Sequence, residues 1–118
     1  MMRVLVLDDS ELRHHCFDRD LRGLRIVHAR TAPEAIEILR RSPRFDVAFL
    51  DYDLDLQENG VKPVGTGLDV ADHIARDLDV RKIPRRIWIH SRNETGRSRM
   101  EAILRHAPAL VRVEEIYP

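Results

Sequence analysis

The chain has 118 residues, which fits a single domain over 1–118 and leaves no room for two. Its 20 basic and 20 acidic side chains cancel, so we expect neither bulk nucleic-acid binding nor membrane adsorption, and no apolar run approaches the ~20 residues of a membrane span. Because Cys16 is the single cysteine, no internal disulfide can form, and we expect a cytoplasmic protein.

Apolar runs alternate with amphipathic stretches from one end of the chain to the other. In chain order we predict a strand at 4–7, a helix at 10–21, a strand at 24–29, a helix at 31–41, a strand at 45–50, a loop at 55–65, a helix at 65–78, a strand at 86–90, a helix at 96–107 and a strand at 110–113. No closing helix follows the fifth strand. Continuous apolar strands separated by helices predict an α/β fold with a five-stranded parallel sheet, covered on both faces.

The predicted helices carry start signals and inward-facing residues. Leu12, Cys16 and Phe17 are expected on the inward face of the first helix. Thr31 can cap the second helix, and Glu34 follows it at capping-box spacing. The third helix has a similar start, in which Thr66 and Asp69 are the capping pair.

Polar side chains follow three of the predicted strands. Strand one is followed by Asp8, Asp9 and Ser10, strand three by Asp51, Tyr52 and Asp53, and strand four by His90, Ser91, Arg92 and Asn93. In the common strand order 2-1-3-4-5, strands one, three and four are neighbours, so these groups would meet where open parallel sheets bind ligands. Taken singly, each group also fits a plainer role as a helix cap, a solvated turn or a buried histidine.

Charge predicts what such a pocket would hold. Two carboxylates ~4 Å apart repel by about 4 kcal/mol at an effective dielectric constant of ~20, so three of them need a cation or a proton nearby. Oxygen ligands suit Mg²⁺, Mn²⁺ or Ca²⁺, and the sequence has no cysteine pair for structural zinc. The sequence therefore favours a magnesium or manganese site beside a phosphate.

The chain resembles the receiver domains of response regulators over nearly its full length. VLVLDDS is similar to the first strand and its acidic metal-binding pair, FDVAFLDYDL places Asp51 at the phosphoacceptor position, and IWIHSR places Ser91 at the switch hydroxyl. The resemblance implies a three-layer, flavodoxin-like fold with strand order 2-1-3-4-5 and about four helices. Two features depart from the pattern: LVRVEE has no lysine at the end of strand five, and we predict no terminal helix in this sequence.

A divergent branch is more similar. The combination of LDYDL, GTGLDVADHI and IHSRNETGRSRM resembles the cyclic-phosphate-processing receiver domains, which are expected to act on cyclic phosphates. Tyr52 stands where that branch often has a histidine, and tyrosine is a poorer base near neutral pH.

Three functional hypotheses remain open. In the first, the chain is a metal-dependent phosphodiesterase or phosphatase that acts on a phosphorylated or cyclic-phosphate small molecule. The metal, Mg²⁺ or Mn²⁺, is held by Asp8, Asp9 and Asp51. The phosphate is bound by Ser91, Asn93, Gly96 and Arg97, and the catalytic residues are Asp51, His90 and Asp53. In the second, Asp51 accepts a phosphoryl group and the fourth helix contacts a protein partner. In the third, the domain sequesters a nucleotide or a protein without chemistry.

Overall fold

A computed structural model describes residues 2–57, 60, 62 and 64–113. Five strands alternate with four α-helices: β1 (Arg3–Leu7), α1 (Glu11–Asp20), β2 (Arg25–Ala29), α2 (Ala32–Arg41), β3 (Val47–Leu50), α3 (Gly67–Arg76), β4 (Arg86–Ile89), α4 (Glu94–Leu104) and β5 (Leu110–Val113). A short 3₁₀ turn at Val80–Lys82 precedes β4 and was not predicted. All neighbouring strands pair in parallel, in the order β2-β1-β3-β4-β5, which confirms the predicted fold.

The sheet lies between two layers of helices because its side chains alternate between faces. One face packs against α2, α3 and α4 and contains the larger core, to which Leu5, Leu50 and Ile87 belong. The other face packs against α1, where Phe17 contacts a smaller cluster around Val6. Among the described residues, no helix is long and apolar enough to cross a bilayer.

Capping side chains set where the helices begin. The Thr31 hydroxyl accepts from the Glu34 N–H at 3.2 Å, as predicted, whereas the Glu34 carboxylate accepts from the N–H of Arg30 and not from that of Thr31. Thr66 and Asp69 form a complete capping box at the start of α3, which confirms that prediction.

The inward face of α1 differs from the prediction. Leu12 is 71% exposed, and the buried residues of the helix are His14, Cys16 and Phe17. His14 and Phe17 stand three residues apart and define the stripe that faces the sheet, so Leu12 points away from it. His14 is accommodated in this stripe because its Nε2 lies 2.9 Å from the backbone oxygen of Asp8.

Some predicted features fall on residues outside the described part of the chain. The loop predicted at 55–65 includes positions 58, 59, 61 and 63, which are not described. The stretch after β5, residues 114–118, for which no helix was predicted, is also outside it.

Candidate functional site

The candidate site lies at the carboxyl ends of β1, β3 and β4, where the ladder of backbone hydrogen bonds between the strands continues one residue beyond each strand. The N–H of Asp51 donates to the carbonyl of Leu7 at 3.1 Å, and the N–H of His90 donates to that of Leu50 at 3.0 Å. The ladder therefore holds Asp8, Asp51 and His90 side by side, beyond β1, β3 and β4. The structure brings together the groups that follow these strands in the sequence.

Three carboxylates form a buried acidic cluster at this edge. Asp8, Asp9 and Asp51 each offer one carboxylate oxygen, and these oxygens lie within 4.8 Å of one another. All three residues are at most 5% exposed. Burial, assisted by the charge of Asp8, raises the pKa of Asp51 to about 8, and burial also raises the pKa of Asp9. Burial and mutual repulsion therefore disfavour the ionised forms of these carboxyl groups, and a nearby cation would favour them.

Arg13 places a cation inside this cluster. Its Nε lies 2.9 and 2.7 Å from the two carboxylate oxygens of Asp8, and its Nη2 lies 3.3 Å from Asp9 and 3.6 Å from Asp51. Arg13 was not among the predicted site residues, although it stands four residues after Asp9 and so one helical turn away. That spacing is the signal that could have identified it.

Two members of the cluster, Asp9 and Asp51, line an open pocket of about 300 Å³, whereas Asp8 is fully buried and is not among the lining residues. The lining residues are Asp9, Arg13, Asp51, Asp53, Asp55, Leu56, His90, Ser91 and Arg92. The N–H of Leu56 donates to Asp9 at 2.6 Å, so the chain after β3 closes over the acidic cluster on that side. Ser91 is 3% exposed and, with Asp51, joins the ends of β4 and β3 in one pocket.

His90 lies beneath the acidic cluster and is 2% exposed. Its Nδ1 is 3.8 Å from Asp8, the rings of Phe17 and Phe49 stand edge-on to it, and among the described residues its Nε2 has no hydrogen-bond partner. Burial lowers the pKa of His90 to about 4, although the charge of Asp8 opposes this. The ring is therefore neutral at pH 7 and cannot act as a proton donor from an imidazolium.

Asn93, Gly96 and Arg97, which were predicted to bind phosphate, are not among the residues that line this pocket. The Asn93 side chain caps α4 by accepting from the Gly96 N–H at 2.8 Å, and the hydroxyl of Ser91 accepts from the Asn93 N–H at 3.1 Å. The Arg97 guanidinium donates to the carbonyl of Ser91. In this structure the three residues fix the loop that carries Ser91.

Two glycines let the neighbouring backbone and ring approach closely. Gly67 begins α3 against the end of β3, where a methyl group would overlap the carbonyl of Asp51. Gly96 lies under the ring of Tyr52, and a methyl group there would come within 2.6 and 2.7 Å of two ring carbons. Tyr52 thus packs on α4, and the GTG and NETG stretches are explained by close packing around the site.

The comparisons with known proteins identify the family. A family model described as the cyclic-phosphate processing receiver domain matches residues 3–106. The chain belongs to this receiver family. Its receiver domain carries an acidic cluster of Asp8, Asp9 and Asp51 that could bind a metal ion.

Solved structures agree with the receiver fold. This receiver domain is similar to a response regulator from Burkholderia pseudomallei with a phosphorylated aspartic acid, calcium ion and citrate, at 20% identity and a TM-score of 0.67 over 99% of this chain and 62% of that one. It is similar to the response regulator TrrA from Thermotoga maritima in complex with Mg²⁺-BeF, at 23% identity and a TM-score of 0.68 over 97% and 87%. A CheY-like receiver domain from Methylobacillus flagellatus shares 14% identity, with a TM-score of 0.69 over 99% and 89%. No curated protein matches the chain.

Proposed function

We propose that this receiver domain binds a divalent cation, Mg²⁺ or Mn²⁺, through Asp8, Asp9 and Asp51, and holds a phosphoryl group of a cyclic phosphate against it in the same pocket. The observation that carries the proposal is that Asp9 and Asp51 meet Ser91 in one pocket, with the carboxylate of Asp8 close to theirs, although these residues come from three separate segments. The description of the family favours a cyclic phosphate as the ligand.

The donor set fits a hard divalent cation. Its three members are carboxylates, and the pocket opens to solvent for the water ligands that Mg²⁺ keeps. Burial and the charge of Asp8 raise the pKa of Asp51, so a cation beside it would favour its ionised form. A bound cation would polarise a phosphoryl oxygen or activate a water molecule.

The chain's own residues divide the remaining work. The hydroxyl of Ser91 accepts from the Asn93 N–H and keeps its own proton to donate to a phosphoryl oxygen. Asp53 is exposed on the pocket wall, where it can take a proton from a water molecule or hold the ligand's hydroxyl groups. His90 is neutral, so of the two proton-transfer roles predicted for it only that of a base is compatible with its pKa.

Metal binding tests the first half of this proposal. Titrating the chain with Mn²⁺ in a calorimeter should give one site, and Asp51→Asn should weaken it by tenfold or more, because one of three charged ligands is lost. Asp20→Asn is the matched control, since Asp20 is exposed at the far end of α1 and pairs with Arg19. Equal binding by wild type and Asp51→Asn would count against the site.

Turnover tests the second half. We expect hydrolysis of 2′,3′-cyclic nucleotides in the presence of Mg²⁺ and none after chelation. Binding of the nucleotide without turnover would instead support a domain that sequesters its ligand. If the chain neither binds nor hydrolyses 2′,3′-cyclic nucleotides, these compounds are excluded as its ligands.

A second function is favoured by the position of Asp51. It follows β3 directly and shares the pocket with Ser91, the arrangement that the resemblance to phosphoaccepting receivers implies. The Burkholderia relative contains a phosphorylated aspartic acid, and TrrA was solved with Mg²⁺-BeF. In this reading α4 contacts a protein partner when Asp51 is phosphorylated.

Phosphorylation can be distinguished from hydrolysis by mass. Incubation with a small phosphodonor and Mg²⁺ should add one phosphoryl group to the intact chain if Asp51 is an acceptor, and Asp51→Asn should abolish the adduct. The described strand β5, Leu110–Val113, provides no lysine to steady that group. An unmodified mass would leave the metal-and-ligand proposal as the better account.

A further inference from the structure

We propose that Arg13 is an exchangeable cation of the acidic site: it offsets part of the negative charge of the three carboxylates when no metal is bound, and a divalent cation enters by displacing it. This inference rests on the proposed metal site and adds the residue that sets the site's affinity. It also predicts that the site selects divalent over monovalent cations.

The guanidinium faces all three carboxylates, with both oxygens of Asp8 and one oxygen each of Asp9 and Asp51 near its nitrogens. Its Nε lies 2.7 Å from Oδ2 of Asp8, and its Nη2 lies 3.3 Å from Oδ1 of Asp9 and 3.6 Å from Oδ2 of Asp51. Among the described residues, these are the contacts that place one positive group against all three members of the cluster.

Other donors use the opposite oxygens. Oδ1 of Asp8 accepts from the Ser10 N–H at 2.8 Å, and Oδ2 of Asp9 accepts from the Leu56 N–H at 2.6 Å. Oδ2 of Asp8 and Oδ1 of Asp9 are therefore oxygens that Arg13 faces and that neither of these two backbone donors uses. A Mg²⁺ ion held at about 2.0–2.1 Å from these oxygens would lie on the side of the cluster that the guanidinium occupies, so the two cations compete for the same place.

Charge decides which cation can win this competition. A monovalent ion carries the same charge as the guanidinium, which is already tethered beside the carboxylates, so it gains little by replacing it. A divalent ion gains twice the attraction to the same three groups. Arg13 has room to leave, because its side chain is 27% exposed and lines the pocket, while the helix that carries it stays capped by Ser10.

Replacing Arg13 with methionine tests the competition. We expect Arg13→Met to bind Mn²⁺ at least tenfold more tightly than wild type in calorimetric titrations, whereas a residue that merely organised the cluster would weaken binding when removed. Arg13→Lys keeps one positive charge and should recover much of the wild-type affinity. Arg19→Met is the control, because Arg19 lies on the same helix and pairs with exposed Asp20, away from the cluster.

A measurement on the unmutated chain keeps the test independent of the variants' folding. In nitrogen–proton correlation spectra, the Arg13 Nε–H signal should be protected from exchange without metal and should lose that protection as Mg²⁺ saturates the site. Persistence of that protected signal at saturation, or Mn²⁺ binding by Arg13→Met that is equal to or weaker than wild type, would overturn the inference and leave the proposed metal site standing. Failure of wild type and Arg13→Met alike to bind Mn²⁺ would overturn both.

Discussion

Replacing Asp51 with asparagine should change how the stability of the metal-free domain depends on pH. Burial and the charge of Asp8 raise the pKa of Asp51 from 3.8 to about 8. Between these two values the folded chain binds more protons than the unfolded chain, so the free energy of unfolding falls as the pH rises. Asparagine carries no titrating proton, and the variant should lack this loss.

The size of the change in the free energy of unfolding follows from the width of the pH range between the two pKa values of Asp51. Each pH unit is worth about 1.4 kcal/mol, so four units give an upper limit of about 6 kcal/mol, a large share of the roughly 5–15 kcal/mol of a typical domain. The positive charge of Arg13 lowers the pKa of Asp51, and the value of about 8 includes that effect. We therefore expect Asp51→Asn to be more stable than wild type by several kcal/mol at pH 9 in the presence of a chelator.

His90 contributes a slope of opposite sign. Burial lowers its pKa from 6.5 to about 4, so in that window the unfolded chain binds more protons and stability rises with pH, by about 3 kcal/mol in total. The contributions of His90 and Asp51 should cancel between pH 4 and 6.5 in wild type. The loss caused by Asp51 should then appear alone between pH 6.5 and 8.

Urea unfolding followed by circular dichroism, from pH 4 to 9 with a chelator present, measures these slopes. Relative to wild type, Asp51→Asn should gain stability as the pH rises to about 8, and His90→Gln should lose stability between pH 4 and 6.5. Asp20→Asn, at an exposed position, should follow wild type. An Asp51→Asn curve parallel to wild type, or lower than it at pH 9, would refute the reasoning.

Three further predictions concern the packing around the site. Gly67→Ala should lower the free energy of unfolding by about 3 kcal/mol or more, because the methyl group would meet backbone atoms of Asp51 that cannot rotate away; a urea midpoint equal to wild type would contradict it. Gly96→Ala should cost about 1–3 kcal/mol, and much less in a chain that also carries Tyr52→Ala, because the obstacle is a side chain; equal costs in both backgrounds would argue against the contact. Asn93→Ala should cost about 1 kcal/mol in thermal unfolding, because the cap of α4 is lost, and Asn93→Asp should retain most of it.

Local patterns were sufficient to predict the five strands, the four α-helices and the acidic cluster. Each strand is a short apolar run, and the helix starts carry their caps in the sequence, as Thr66 and Asp69 show at α3. The acids follow the strands directly, so once the sheet is parallel and in the order 2-1-3-4-5 their meeting at one edge follows. Asp8, Asp9 and Asp51 are therefore close together, as predicted.

Side-chain environments were less accessible to sequence analysis. The pattern of α1 favoured Leu12 as an inward residue, yet the helix buries His14, because a backbone oxygen lies within hydrogen-bonding distance of that histidine. Asn93 and Arg97 suit phosphate binding in composition, yet they bond to the backbone of their own loop and helix. The hydrogen-bond donors of a segment can be read from its sequence, but the acceptors that lie next to them in the folded chain cannot.

The sequence by itself determined the order of elements, the parallel sheet and the acids at the ends of β1 and β3, because these depend on the period of apolar residues and on caps a few positions apart. Only the tertiary structure decided that Arg13 is the cation among those acids, that His90 is buried and neutral, and that Gly67 and Gly96 serve close packing. These features depend on distances between segments far apart in the chain, and burial and charge act through such distances.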